Sequence, residues 1–213
     1  CIHGEVTNNN IDIFDREKAF IDNVLNKIRN DNPTLKVIME HITTKDAVDY
    51  VFSGNENLAA TVTTHHLSIN RNDLLAGGIR PHFYCLPVVK RESHRLALVE
   101  AVVSGSPKFF LGTDSAPHLD QDKESFCGCA GCFTATNTLE ILAHIFEEQK
   151  ALDKLELFTS INGAKFYCKN INSDKIRLVK KDKPTSFPEK ISTPLGEITV
   201  FKPNFETKWQ VQV

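Results

Sequence analysis

The chain lacks any run of the ~20 apolar residues that a membrane helix requires, and no segment of it reads as a signal peptide. Blocks of one charge are also missing: 25 Lys and Arg stand against 27 Asp and Glu. A nucleic-acid footprint needs clustered Lys and Arg. The densest stretch, Lys180-Lys181-Asp182-Lys183, is short and reads as solvated surface. Membrane and nucleic-acid partners are therefore not expected. The regular cysteine spacing of a secreted disulfide scaffold is absent, although there are six Cys. A reducing cytoplasm is the simpler setting. Methionine is confined to Met39, and residue 1 is Cys. Cys1-Ile2-His3-Gly4 reads as the end of a buried strand entering a loop, a poor place for a natural terminus. Residues upstream are expected. No fixed-period repeat and no low-complexity linker divides the chain.

What is present is ordinary globular material, 41% hydrophobic and 24% charged over 213 residues, enough for one sizeable core. Apolar periodicity predicts helices over 15–30, 93–104, 138–150 and 152–161. A further helix is capped by Thr43-Thr44 and stopped by Gly54. Strands are predicted over 35–39, 58–63 and 108–112, and β-prone pieces over 175–179 and 198–201. Residues 64–90 and 115–134 read as long connections. Alternating strands and helices argue for parallel βαβ units, about four counting the strand that ends at His3. One domain is expected over residues 1–213.

The informative polar residues sit at strand ends. His3, His41 and Asp114 each follow an apolar strand directly. In parallel α/β barrels the C-terminal strand ends converge on one face, where function resides. Imidazole and carboxylate are good zinc-class ligands. Singly, each has a blander explanation, a hydrogen-bonded loop histidine or a capping aspartate; three on successive strand ends point to a metal or catalytic site. His118 lies in the same loop as Asp114 and could hold a substrate carboxylate or simply occupy a surface loop. Cys127, Cys129 and Cys132 offer three thiols without a fourth ligand or the paired C-x-x-C form, so a tight glycine-containing loop is expected rather than structural zinc. His65 and His66 read as neighbours on extended chain, pointing to opposite sides and not chelating one ion. His82, His94 and His144 have no supporting context.

The motifs carry a resemblance. Ile2-His3-Gly4-Glu5, Glu40-His41-Ile42-Thr43-Thr44-Lys45-Asp46-Ala47, Arg80-Pro81-His82-Phe83-Tyr84-Cys85-Leu86-Pro87, Leu111-Gly112-Thr113-Asp114-Ser115-Ala116-Pro117-His118 and Cys127-Gly128-Cys129-Ala130-Gly131-Cys132-Phe133 together resemble dihydroorotase, of the shorter, bacterial, homodimeric type within the amidohydrolase superfamily. Weaker similarity continues through Ser160-Ile161-Asn162-Gly163-Ala164.

The resemblance implies an α/β fold, a TIM-type (β/α)8 barrel of a metal-dependent hydrolase. Only its C-terminal half, about strands 5–8, is expected here, as barrel units over about 1–165 with a C-terminal extension over about 166–213. It implies zinc-dependent, reversible cyclisation of N-carbamoyl-L-aspartate to (S)-dihydroorotate in pyrimidine synthesis. By the same resemblance, His3 and His41 would bind one zinc and Asp114 the other. Asp114 would also be the general acid/base, moving a proton from the attacking water to the leaving amide nitrogen. His118 and Ala130 would hold the substrate carboxylate, Leu86 would meet the substrate through its backbone, and His3 would touch it as well.

The family's site needs more: a His-x-His pair, a carboxylated lysine bridging two Zn2+ ions, an arginine, an asparagine and a mobile lid loop. All are expected upstream of Cys1, so these 213 residues alone are expected to be inactive. Two other readings compete. A hydantoinase-like enzyme would act on a different cyclic amide, but His118 and Ala130 favour an acidic substrate. A non-catalytic paralogue serving as a binding partner has no chemical need for His3, His41 and Asp114 together.

Overall fold

The structure, a computed structural model, describes residues 1–212. Four short strands, β1 (Ile2–His3), β2 (Val37–Glu40), β3 (Leu58–Val62) and β4 (Phe109–Leu111), form one parallel sheet in sequential order. Register places Ile2 beside Met39, Met39 beside Ala60, and Ala60 beside Phe109. Alternation along the strands separates two faces. Val37, Met39, Leu58, Ala60, Val62 and Phe109 join the main core. Ile38, Ala59 and Phe110 form a smaller cluster on the other face, with Phe166 packed against it. This second face corresponds to the interior of a closed barrel. Among the described residues β1 and β4 are its edges.

Helices return the chain between the strands. The helix expected over 15–30 is α1 (Arg16–Phe20), a π turn (Ile21–Leu25) and α2 (Asn26–Asp31) in succession. The segment α3 (Lys45–Ser53) begins at Thr44, whose hydroxyl accepts from the Ala47 N–H at 3.0 Å. The buried carboxylate of Glu17 accepts from the N–H groups of Thr43 and Thr44, both at 2.8 Å, and from both hydroxyls. It satisfies donors that a helix start leaves open and fixes the loop just beyond His41.

The segment read as a long connection over 64–90 is more ordered than expected. It holds α4 (Thr64–Ser68), α5 (Arg71–Leu75) and a 3-10 turn at Pro81–Phe83. Side-chain caps explain this: Thr63 accepts from the His66 N–H, and Asn70 with Asp73 forms a reciprocal capping box. Then α6 (Glu92–Val103) leads to β4, and α7 (Asp120–Lys123) sits in the loop before α8 (Thr138–Glu148). The helix expected over 152–161 is present and runs without interruption to 166. A 3-10 turn (Leu152–Lys154) and a π turn (Leu157–Ile161) precede α9 (Asn162–Phe166). The Asn162 amide donates to the carbonyls of Ser106 and Phe109, both at 3.1 Å, anchoring this turn to the base of β4.

The tail forms two antiparallel pairs, β5 (Arg177–Lys180) with β8 (Trp209–Gln212) and a hairpin of β6 (Lys190–Thr193) with β7 (Gly196–Thr199). The β-prone piece over 198–201 ends in the core rather than the sheet. Phe201 is buried, donates its N–H to the Phe133 carbonyl and accepts from the Asn137 amide. Trp209 donates to Glu147 at 3.2 Å, tying the last strand to α8.

Candidate metal and substrate site

His3 ends β1, and His41 follows β2, the next strand. His3 Nδ1 and His41 Nε2 face each other at 3.3 Å, with the rings edge-on at 4.8 Å. His41 adopts φ 41° and Asp114 φ 43°, a left-handed backbone that non-glycine residues rarely take. Such strain persists where the surroundings impose it, and it gathers at functional sites. The His41 N–H donates to Thr61 Oγ1 at 2.7 Å, and the Thr61 hydroxyl donates to Glu40 at 2.6 Å. A Cβ on Gly112 would sit 2.6 Å from the Thr61 Cβ, so only glycine lets β4 pass this hydroxyl.

Each ring has its own environment. His3 Nε2 donates to Glu5 Oε2 at 3.1 Å, leaving Nδ1 as the bare lone pair of a neutral ring. That hydrogen bond holds the His3 pKa above the usual histidine value, against the opposing effect of burial. Burial pushes His41 down, favouring a neutral ring, and Asp114 opposes the shift. Asp114 thus lies within electrostatic reach of both rings.

These residues fit a divalent cation. Two nitrogens bound to zinc at 2.0–2.1 Å with tetrahedral angles lie about 3.4 Å apart, and the two facing nitrogens here are 3.3 Å apart. The other nitrogen of His41 is buried without a partner. Asp114 does not join them in one tight triad. Among the described residues, the group of three whose donor atoms all lie within 4.8 Å of one another is His65, His66 and Cys85.

Beyond Asp114 the loop brings two of the expected substrate residues together. His118 Nε2 donates to the Ala130 carbonyl at 3.1 Å. Gly131 has φ +149°, and a Cβ there would lie 2.5 Å from the Ala116 Cβ and 3.0 Å from His118 Nε2. Gly128 is also left-handed, at φ +72°. The Cys127–Cys132 segment is thus a tight glycine loop, with Cys127 exposed, Cys129 partly exposed and Cys132 buried. The Ala116 N–H donates to the Cys132 carbonyl, and Ser115 Oγ accepts from the N–H groups of Thr134 and Ala135.

Sequence reasoning missed Lys123, which is 3% exposed. Its ammonium donates to the carbonyls of Tyr84 (2.9 Å), Cys129 (2.6 Å) and Gly131 (2.9 Å). Burial holds its pKa below the ordinary lysine value. The Gly131 N–H also donates to the Tyr84 carbonyl. The loop bearing Leu86, itself 37% exposed, is thereby locked to the loop bearing Ala130. Only the hydrophilic letter Lys marked this position, and the partner that joins the two loops, Tyr84, lies 39 positions away. Glu5 was visible within a motif but had no assigned part. Of the histidines left without context, His94 accepts from the Lys45 N–H, His82 pairs with Glu124, and His144 stacks on Phe205.

A parallel sheet with histidines and a strained aspartate at its strand ends is the pattern of a parallel α/β barrel portion with a polar site on its rim. The likeness to solved structures agrees. A D-hydantoinase from Thermus sp. shares the fold at 14% identity, TM-score 0.64, over 87% of this chain and 44% of that one. A Saccharomyces cerevisiae dihydroorotase in complex with 5-fluoroorotic acid matches far better, at TM-score 0.87 and 36% identity over 99% of this chain and 62% of that one. A Campylobacter jejuni dihydroorotase matches at TM-score 0.86 and 33% identity, over 99% and 60%. No protein-family model matches the chain. Curated dihydroorotases of Ruegeria sp. (strain TM1040) and Agrobacterium fabrum are 63% and 60% identical over 211 residues, 99% of this chain. The chain spans 61% of the length of these relatives. It is a homologue of the dihydroorotases, corresponding to their C-terminal part.

Proposed function

We propose that this chain contributes its part of the active centre to a dihydroorotase, which interconverts N-carbamoyl-L-aspartate and (S)-dihydroorotate by loss or gain of water. The observation that carries this reading is the pair of facing nitrogens on His3 and His41, 3.3 Å apart, in a chain 63% identical to a dihydroorotase. His3 and His41 would hold one zinc ion and Asp114 a second, with a carboxylated lysine from elsewhere in the protein between them. When bound, the cations supply Lewis acidity that polarises the amide carbonyl and makes water more acidic.

The chain's own residues do the rest. In the hydrolytic direction Asp114 takes the proton of the attacking water and delivers it to the ring nitrogen as the amide bond breaks. His118, oriented by the Ala130 carbonyl, and the backbone of Ala130 bind the substrate carboxylate, while Leu86 meets the ring through its backbone and His3 touches it from the metal side. The acidic substrate separates this reading from a hydantoinase-like one. We further propose one domain over residues 1–213, with barrel units over about 1–165 and an extension beyond, in a cytoplasmic homodimer. No described helix is long and apolar enough to cross a membrane.

The test is carbamoyl-aspartate cyclisation by the complete protein and by residues 1–213 alone. The complete protein should turn over and lose activity on Asp114→Asn. The isolated 213 residues should be inactive, because each metal position would be left with too few ligands. Substantial turnover by the isolated segment would overturn this division of the site.

A further inference from the structure

Thr63 follows β3 and caps α4, and the first turn of that helix carries His65 and His66 into the core. The expectation that adjacent histidines point apart fails because they lie on a helical turn, not an extended chain. Their ring centroids are 4.5 Å apart, tilted by 46°. His66 is oriented at both nitrogens, with Nδ1 2.8 Å from Thr63 Oγ1 and Nε2 2.8 Å from the Pro87 carbonyl. The buried Cys85 thiol lies 3.5 Å from His66 Nε2 and 3.4 Å from the same carbonyl. His65 stands apart from the satisfied ring beside it: it is 0% exposed, and neither of its nitrogens has a partner. Buried polar groups in native proteins are almost always paired, because leaving one unpaired is costly.

We propose that His65, His66 and Cys85 form a buried structural zinc site, separate from the His3, His41 and Asp114 centre. Their donor atoms already lie within 4.8 Å of one another. One thiolate and two imidazoles suit zinc and disfavour magnesium or calcium, which take oxygen ligands. With zinc–nitrogen near 2.0–2.1 Å and zinc–sulfur near 2.3 Å, a tetrahedral N···S edge is about 3.6 Å, against 3.5 Å between His66 and Cys85. On loading, the Cys85 thiol releases its proton to solvent. Without the ion the Pro87 carbonyl, which only accepts, keeps the His66 proton on Nε2; on loading the ring takes its other tautomer, with the proton on Nδ1 and Thr63 Oγ1 accepting it. The Pro87 carbonyl stands beside both donors as the fourth ligand. The cation would give the unpaired His65 ring its partner and staple the Cys85–Pro87 segment, with Leu86 between them, to the end of β3. His65, His66 and Cys85 are all buried, which marks the site as structural rather than catalytic. The inference does not depend on the proposed activity.

Cobalt(II) tests it in the complete protein, stripped with a chelator and reloaded. A thiolate–cobalt bond gives a charge-transfer band in the near ultraviolet, whereas cobalt held by His3, His41 and Asp114 has no sulfur donor and adds none. The expected result is a band that zinc abolishes, that Cys85→Ser removes, and that His65→Gln removes or weakens severalfold, with zinc content falling by one per chain in both variants. His65→Gln keeps every thiol, so it separates this site from adventitious binding at the exposed cysteines even if Cys85→Ser does not fold. Absence of the band in the wild type, or a band of unchanged intensity in His65→Gln, overturns the proposal.

Discussion

His118 donates a hydrogen bond from Nε2 to the carbonyl of Ala130, 3.1 Å away. A carbonyl only accepts, so this contact places a proton on Nε2 and turns the ring in a defined direction; donating to a substrate carboxylate as well takes a second proton, on Nδ1. Both residues were expected to serve the substrate carboxylate. The structure adds that one of them positions the other, across a loop that needs glycine at 131 to close.

Replacing His118 by Ala should therefore weaken substrate binding more than chemistry. A hydrogen bond to a charged group contributes about 1.5–3 kcal/mol, so KM should rise about 10–100-fold with a smaller change in kcat. Steady-state kinetics in both directions provides the check. An unchanged KM would remove His118 from the carboxylate site.

Lys123 binds the same loops from beneath. Replacing it by Met would leave three carbonyls, those of Tyr84, Cys129 and Gly131, without their shared donor. A loss of about 3 kcal/mol is expected, read as a lower urea midpoint. The pH dependence has a definite sign. Burial holds the folded-state pKa of Lys123 below that of the free side chain. Between the two values the unfolded chain binds more protons than the folded one, so this group makes stability rise with pH on the alkaline side. In Lys123→Met that contribution disappears, and the alkaline stability profile should be correspondingly flatter.

The contrast between Lys123 and His41 shows what a sequence exposes. His41 follows a short apolar run, and the run itself announces a strand whose end is an address on the barrel rim. His3 and Asp114 were legible in the same way. Lys123 follows no such run; its partners lie 39, 6 and 8 positions away. His65 and His66 were misjudged for a different reason. Their separation depends on whether the backbone is extended or helical, and the deciding signal was the capping hydroxyl of Thr63 two residues earlier. The helix expected over 152–161 was legible from its pattern, but its continuation to 166 was not. Beyond 161 the Asn162 amide ties the helix to the base of β4, a partner far away in sequence. Strand ends were thus readable from local pattern, while loop closure and burial of polar groups required the tertiary partners.

Glu5 supplies the last prediction. Its carboxylate accepts from His3 Nε2 at 3.1 Å, which leaves the Nδ1 lone pair facing His41. An acceptor on the far nitrogen fixes the tautomer and makes the ring a better metal ligand, and losing such a partner typically costs 10–100-fold in metal affinity or activity. Glu5→Gln can present its amide NH2 to Nε2 as readily as its oxygen, so both tautomers of His3 become available. The variant should bind zinc about 10–100-fold more weakly, measured by competition with a chromophoric chelator. Activity should recover when zinc is supplied in excess. The same substitution withdraws the hydrogen bond that raises the His3 pKa, so protons should compete less with metal at acid pH. A Glu5→Gln protein with wild-type zinc affinity would show that the facing nitrogens of His3 and His41 do not depend on Glu5 for their orientation.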